Sequence, residues 1–154
     1  MRPYYLYRIY LLLSILVSGS TFFNTLEAKE KKGKYKYQLA LSAMIQNEGE
    51  WLKEWIEYHR LVGVEHFYLF DNASSDDTLE ILKPYIKQGV VEFFHFSTVG
   101  ENQEEYLKIQ QYLIRESVRM AKNKVKWLAL IDADEFIVPL QKKSIVKVLK
   151  NYEK

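Results

Sequence analysis

The sequence predicts an α/β fold built around a parallel sheet. Three observations carry that expectation. From residue 38 onward, short apolar runs alternate with amphipathic helical stretches. The stretches between the apolar runs are long enough for helical crossovers between parallel strands. Acidic and amide residues gather just after the apolar runs, which is where ligands bind on parallel sheets. The 154 residues leave room for one domain, not two.

Residues 38–45 (QLALSAMI) are almost continuously apolar, as a strand buried on both faces would be. Residues 50–62 (EWLKEWIEYHRLV) place Trp51, Trp55, His59 and Val62 on one helical stripe, with Leu52 and Ile56 beside it. Glu48, Glu50 and Glu54 lie near the start of that helix, where its dipole favours them, and Gly63 stops it. Residues 65–71 (EHFYLFD) form a second, aromatic-rich strand. Residues 72–77 are a polar loop of helix-capping types, and Asp77 with Glu80 reads as a capping box. A helix follows over residues 78–87, with a kink expected at Pro84 and an end at Gly89. Residues 90–96 are a third strand and residues 97–102 a loop. A long helix is expected from 103 to about 122, then a fourth strand over residues 126–132 (KWLALID). The order is β-α-β-α-β-α-β, with Lys142, Lys143, Lys147 and Lys150 on the wet face of a closing helix.

The N-terminal region is of another kind. Residues 9–23 carry no charge and follow Arg2 and Arg8, the pattern of a signal peptide. They also suit an uncleaved anchor, although fifteen residues of helix span only about 22 Å. The expected organisation is a signal peptide or anchor at 1–28, a basic linker at 29–37 and the folded domain at 38–154. If the segment is an anchor, the five lysines of residues 29–36 favour a cytoplasmic domain. A cleaved signal would send the domain into a secretory route. Either way, membrane association or secretion is expected.

Composition excludes several chemistries. There is no cysteine, so disulfides, thiolate metal sites and cysteine nucleophiles are out. Only His59, His66 and His95 are available as imidazoles, so any metal must rest on carboxylates. A net charge of +2 argues against a dedicated nucleic-acid binder. No G-x-G-x-x-G follows the first strand and no P-loop is present. The candidate chemistry lies instead at strand ends: Asn47 and Glu48 after the first, Asp71 and Asn72 after the second, Asp132 and Asp134 after the fourth. Two carboxylates spaced D-x-D after an apolar strand suit a hard cation that bridges to a diphosphate. An EF-hand would need further acidic positions and a glycine, which residues 136–139 do not supply.

Each candidate also has a plainer role. Glu48 suits a helix start, His59 a packed core, and Ser74, Ser75 and Asp76 a helix cap. Gln110 can face a ligand or water. The tryptophans and tyrosines read as core rather than sugar platforms.

The residues 43–48 (AMIQNE), 54–59 (EWIEYH), 63–72 (GVEHFYLFDN) and 132–137 (DADEFI) occur in that order, with Ser74–Asp76, Gln110 and Lys126-Trp127 between them. As a set they resemble glycosyltransferase family 92, within the GT-A class of nucleotide-sugar glycosyltransferases. The resemblance runs from about residue 38 to 139, roughly two thirds of the chain. It implies a Rossmann-like GT-A fold, a nucleotide-diphosphate sugar donor, usually a UDP-sugar, and a Mn²⁺ (or Mg²⁺) requirement. It assigns Asp132 and Asp134 to the metal and donor phosphates. Asp71 and Asn72 fall near base and ribose, and Asn47 and Glu48 at the same pocket's edge. Glu135 lies where it could buttress the metal shell or face away.

On this resemblance, the acceptor-side parts and the general base of such enzymes come after the D-x-D, and only twenty residues follow Asp134 here. The expectation is a truncated, donor-binding half of a transferase, with the acceptor (glycan, lipid or protein) unidentified. The rival expectation is a non-catalytic remnant that binds only nucleotide or a partner chain. A nucleotidyltransferase is a third, weaker match, counted against by the asparagine, EWIEYH and DADEF set.

Overall fold

A computed structural model describes residues 34–96, 102–140 and 142–153. The expected signal or anchor at 1–28 and most of the linker at 29–37 lie outside these residues. Among the described residues, no helix is long and apolar enough to cross a membrane.

The elements are β1 (Tyr37–Ile45), α1 (Gly49–Leu61), β2 (His66–Asn72), α2 (Thr78–Lys87), β3 (Val91–Phe96), α3 (Gln103–Ala121), β4 (Val125–Leu130) and α4 (Ile145–Leu149). A 3-10 turn, Lys150–Tyr152, follows α4. All four strands are parallel and lie in the order β3-β2-β1-β4. The α/β class and the β-α-β-α-β-α-β order expected from the sequence are what the chain adopts.

Strand alternation sorts the side chains into two layers. Leu39, Leu41, Ala43 and Ile45 of β1 face one way, into a core with Leu52, Trp55 and Ile56 of α1 and Leu82 and Tyr85 of α2. Ala40 and Met44 face the other way, toward Leu113 and Ala121 of α3. The sheet is therefore covered on both faces, which is why its strands read as continuous apolar runs. β2 is the extreme case: every residue from His66 to Asn72 is buried, the polar ones included.

Two sequence expectations need correction. The buried row of α1 is Leu52, Trp55, Ile56 and His59, and Trp51 is 57% exposed. At about 100° per residue, Trp51 stands about a quarter turn from the centre of that row. The Asp77–Glu80 capping box does not form, because Asp77 makes no side-chain cap bond. As expected, α2 runs from Thr78 through Pro84 to Lys87, and Gly89, at φ +71°, follows its end.

On the α3 face, one buried polar pair ties helix to sheet. The Ser117 hydroxyl donates to the Leu113 carbonyl of its own helix at 2.7 Å. That leaves its oxygen to accept from the Ser42 hydroxyl of β1, also at 2.7 Å. Ser117→Ala strands the Ser42 hydroxyl in the core and should cost about 1–3 kcal/mol in urea unfolding. Ser42→Ala leaves Ser117 bonded to Leu113 and should cost less. In the double variant, the two losses should fall short of additivity.

Candidate active site

The strand order creates the site. Chain order runs outward from β1 to β2 and β3, with α1 and α2 on one face. The next crossover, α3, runs on the opposite face and delivers β4 to the other side of β1. The winding direction therefore reverses between β1 and β4, so the connections leaving and entering them run to opposite faces, the arrangement at whose strand ends a ligand crevice forms.

The D-x-D sits at that crevice as a tight turn rather than at the end of a strand. β4 ends at Leu130, and the Ile131 N–H bonds the Ser42 carbonyl at 3.2 Å. The Glu135 N–H then returns to the Asp132 carbonyl at 3.1 Å. The Glu135 carboxylate accepts from the Asp132 N–H at 3.2 Å, so it braces the turn. Ala133 is buried in the core and the aspartates on either side of it are exposed. This alternation is what a two-residue spacing achieves: an apolar anchor inward and two carboxylates outward.

Like charges crowd this corner. Surrounding protein atoms, then the Glu135 and Asp134 carboxylates, push the Asp132 carboxyl above its usual range. Glu48, at the N-terminus of α1 across the crevice, is pushed up by burial and by the carboxylates of Asp134 and Asp76. The structure thus brings Glu48, Asp132 and Asp134 into one electrostatic neighbourhood that favours a cation. Among the described residues, no three acidic or histidine side chains converge into a complete metal cage. A Mg²⁺- or Mn²⁺-type site fits that pattern, since such ions are commonly held by one or two carboxylates with substrate phosphates completing the shell.

Asp71 and Asn72 sit on the other side of β1. Asp71 is level with Ile45 in the β1–β2 register. Two strand spacings, about 10 Å, separate β2 from β4. Asp71 is 2% exposed and bonds His95 Nδ1 of β3 at 2.8 Å and the Ser74 N–H at 3.3 Å. The Asn72 side-chain oxygen is buried with no hydrogen-bond partner, an acceptor that a ligand could satisfy.

Asn47 has a structural job. It adopts φ +56°, and its N–H donates to Ser74 Oγ at 2.8 Å. Its side-chain oxygen accepts from the Ser75 N–H at 2.8 Å. Asp76 completes this latch between the β1 and β2 loops. One carboxylate oxygen accepts from the Gly49 N–H at 2.9 Å and the other from the Thr78 N–H at 3.1 Å. A single side chain thereby caps the first residue of both α1 and α2. Gly49 is required by this closeness: a Cβ there would meet Asp77 Oδ1, Asp76 Oδ2 and the Thr78 nitrogen.

Sequence reasoning missed two neighbours of the site. Tyr106 lies close enough to Asp132 that, after burial, this carboxylate is the next cause raising the phenol's pKa. Gln110, one helical turn on, lies beside the Tyr106 hydroxyl and works against that rise. The sequence singled out Gln110 but not Tyr106. His95 was noted only as a scarce imidazole, and nothing in sequence links it to Asp71 before β2 and β3 pair.

The sequence profile of glycosyltransferase family 92 matches residues 36–154. The chain belongs to glycosyltransferase family 92. A family 92 protein of Arabidopsis thaliana is 29% identical over 113 residues, which are 73% of this chain and 18% of that protein. A family 92 protein of Oryza sativa subsp. japonica is 26% identical over 116 residues, 75% of this chain and 19% of that protein. The family 92 chain thus spans about a fifth of the length of the curated relatives it matches. Among solved structures, S. aureus TarS residues 1–349 aligns with a TM-score of 0.48 at 13% identity, over 75% of this chain and 31% of that one. TarS in complex with UDP-GlcNAc aligns with a TM-score of 0.45, also at 13% identity, covering 75% and 30%.

The Asp76 latch of this family 92 chain gives a pH signature. The Thr78 hydroxyl lies beside the carboxylate, outside hydrogen-bond geometry. Together with the N–H groups of Gly49 and Thr78 it holds the Asp76 carboxyl below its usual range. A depressed folded pKa stabilises above the unfolded value, about 3.9, and the contribution is lost as pH falls through the folded value. Asp76→Ala should therefore lower stability by about 1 kcal/mol at neutral pH, and the difference should shrink as pH falls below the unfolded value, about 3.9, in parallel urea titrations.

Proposed function

We propose that this chain binds a nucleotide-diphosphate sugar, of the UDP-sugar class, at the β1–β4 crevice as the donor step of glycosyl transfer to an acceptor. The observation that carries the reading is the gathering of Glu48, Asp132 and Asp134 at the reversal of strand winding in a family 92 chain. Asp132 and Asp134 would hold Mn²⁺ or Mg²⁺, which supplies charge neutralisation for the departing nucleoside diphosphate. Asp71 and Asn72, about 10 Å away across β1, suit the nucleoside end of an extended donor. The unpartnered Asn72 oxygen is placed to accept from a ribose hydroxyl or a base N–H. Asn47 supports the pocket by fixing the β1 loop rather than by offering its side-chain oxygen to the donor. Membrane association through residues 9–23 belongs to the same proposal.

Isothermal titration of UDP in the presence of Mn²⁺ tests the donor site. The expected result is saturable, Mn²⁺-dependent binding that Asp132→Ala weakens by more than about 100-fold, beyond the effect typical of outer-shell changes. Binding indifferent to Asp132→Ala would sink the assignment. UDP release from UDP-sugars then separates transfer from mere retention of nucleotide: binding without release supports the remnant reading.

Asn72→Ala should weaken UDP binding about 5- to 100-fold through the lost hydrogen bond while leaving Mn²⁺ affinity without nucleotide unchanged. Titrations with and without UDP distinguish the two effects.

A further inference from the structure

Residues 135–139, which follow the carboxylate turn, have no regular secondary structure. Their backbone groups therefore need partners from elsewhere. Three side chains of α1 supply them. Trp55 Nε1–H donates to the Glu135 carbonyl at 2.8 Å. The Tyr58 hydroxyl donates to the Ile137 carbonyl at 3.4 Å. His59 Nε2 accepts from the Ile137 N–H at 3.2 Å. Residues 55, 58 and 59 share one helical face, so all three reach the same segment.

The histidine is committed at both nitrogens. Its Nδ1 bonds the Trp55 carbonyl at 2.8 Å, and with Nε2 accepting, Nδ1 must carry the proton. His59 is fully buried, as is Trp55, and burial pulls the imidazole pKa down, toward the neutral form this pattern needs. Phe136 adds ring contacts, stacked on His59 at 5.5 Å and edge-on to Tyr58 at 5.1 Å.

We propose that Trp55, Tyr58 and His59 are positioning residues that set the carboxylates of the D-x-D turn. They fix the backbone at Glu135 and Ile137, and the Glu135 side chain carries that placement to the Asp132 N–H. α1 begins beside Glu48, so one rigid helix aligns both rims of the crevice. The proposal rests on the metal–diphosphate reading of Asp132 and Asp134. It assigns to the EWIEYH segment a role beyond packing.

The test measures Mn²⁺ affinity by electron paramagnetic resonance, with saturating UDP, on the full chain and on variants shown to be folded by circular dichroism. Trp55→Phe and His59→Phe keep aromatic bulk and remove the bonds to residues 135 and 137. Each should weaken Mn²⁺ binding by about 10-fold or more. His59→Gln, which keeps an acceptor for the Ile137 N–H, should recover most of the loss. Leu82→Ala, a cavity in α2 away from the turn, should lower stability as much or more yet change affinity by no more than about twofold. If Asp132→Ala weakens Mn²⁺ binding while Trp55→Phe and His59→Phe match the wild type, the positioning role is overturned and the metal reading stands. An equal loss in Leu82→Ala also overturns it. If Asp132→Ala has no effect, the metal reading itself falls.

Discussion

β1 is paired on both edges, and that single circumstance organises the molecule. Its backbone is paired with β2 along one edge and β4 along the other, and helices cover both of its faces. Its sequence is accordingly apolar at nearly every position. Parallel neighbours also require crossovers, and right-handed crossovers outward in opposite directions place their helices on opposite faces. α1 and α2 cover one side, α3 covers the other, and a crevice opens where the winding reverses. No separate scaffold builds the site. It follows from which strand lies in the middle.

Like charges crowd the strand ends at this corner. Burial and then the Asp134 carboxylate push Glu48 of the β1 loop above its usual range, and burial, Glu135 and Asp134 do the same to Asp132 of the β4 turn. Such repulsion is tolerable because hydrogen bonds and apolar packing hold both loops. On the β1 side, Asn47 and Asp76 lash the loop to the start of α2. On the β4 side, the α1 side chains and the buried Ala133 hold the turn. Strain at a binding site is commonly offset by such over-determined surroundings.

α1 links these features. Its N-terminus lies against Asp76 and its middle against residues 135–137, while its apolar row forms the floor of the larger core. The packing that stabilises the fold is therefore also the packing that sets the site. A histidine in a helix core is usually a packing residue. His59 is one, yet its second nitrogen reaches the segment that follows the carboxylate turn.

The sequence by itself determined the class of fold, the four strands, the helices between them and the strand-end location of Asp71 and Asn72, whereas it ran the fourth strand through Asp132, which lies in a turn beyond Leu130. These follow from local periodicity and from the rule that parallel strands present ligands at one end. Its errors were local as well: Trp51 was placed inside because a stripe of four residues does not fix which edge of the stripe faces the core, and Asp77 was given a cap that Asp76 makes instead. Only the tertiary structure decided the strand order, and with it which strand ends share a crevice. It alone paired His95 with Asp71, set Tyr106 near Asp132 and joined Trp55, Tyr58 and His59 to residues 135 and 137. Those partners are 24 to 80 residues apart in the chain. A contact at that separation is created by the crossover geometry, and no pattern within either segment records it.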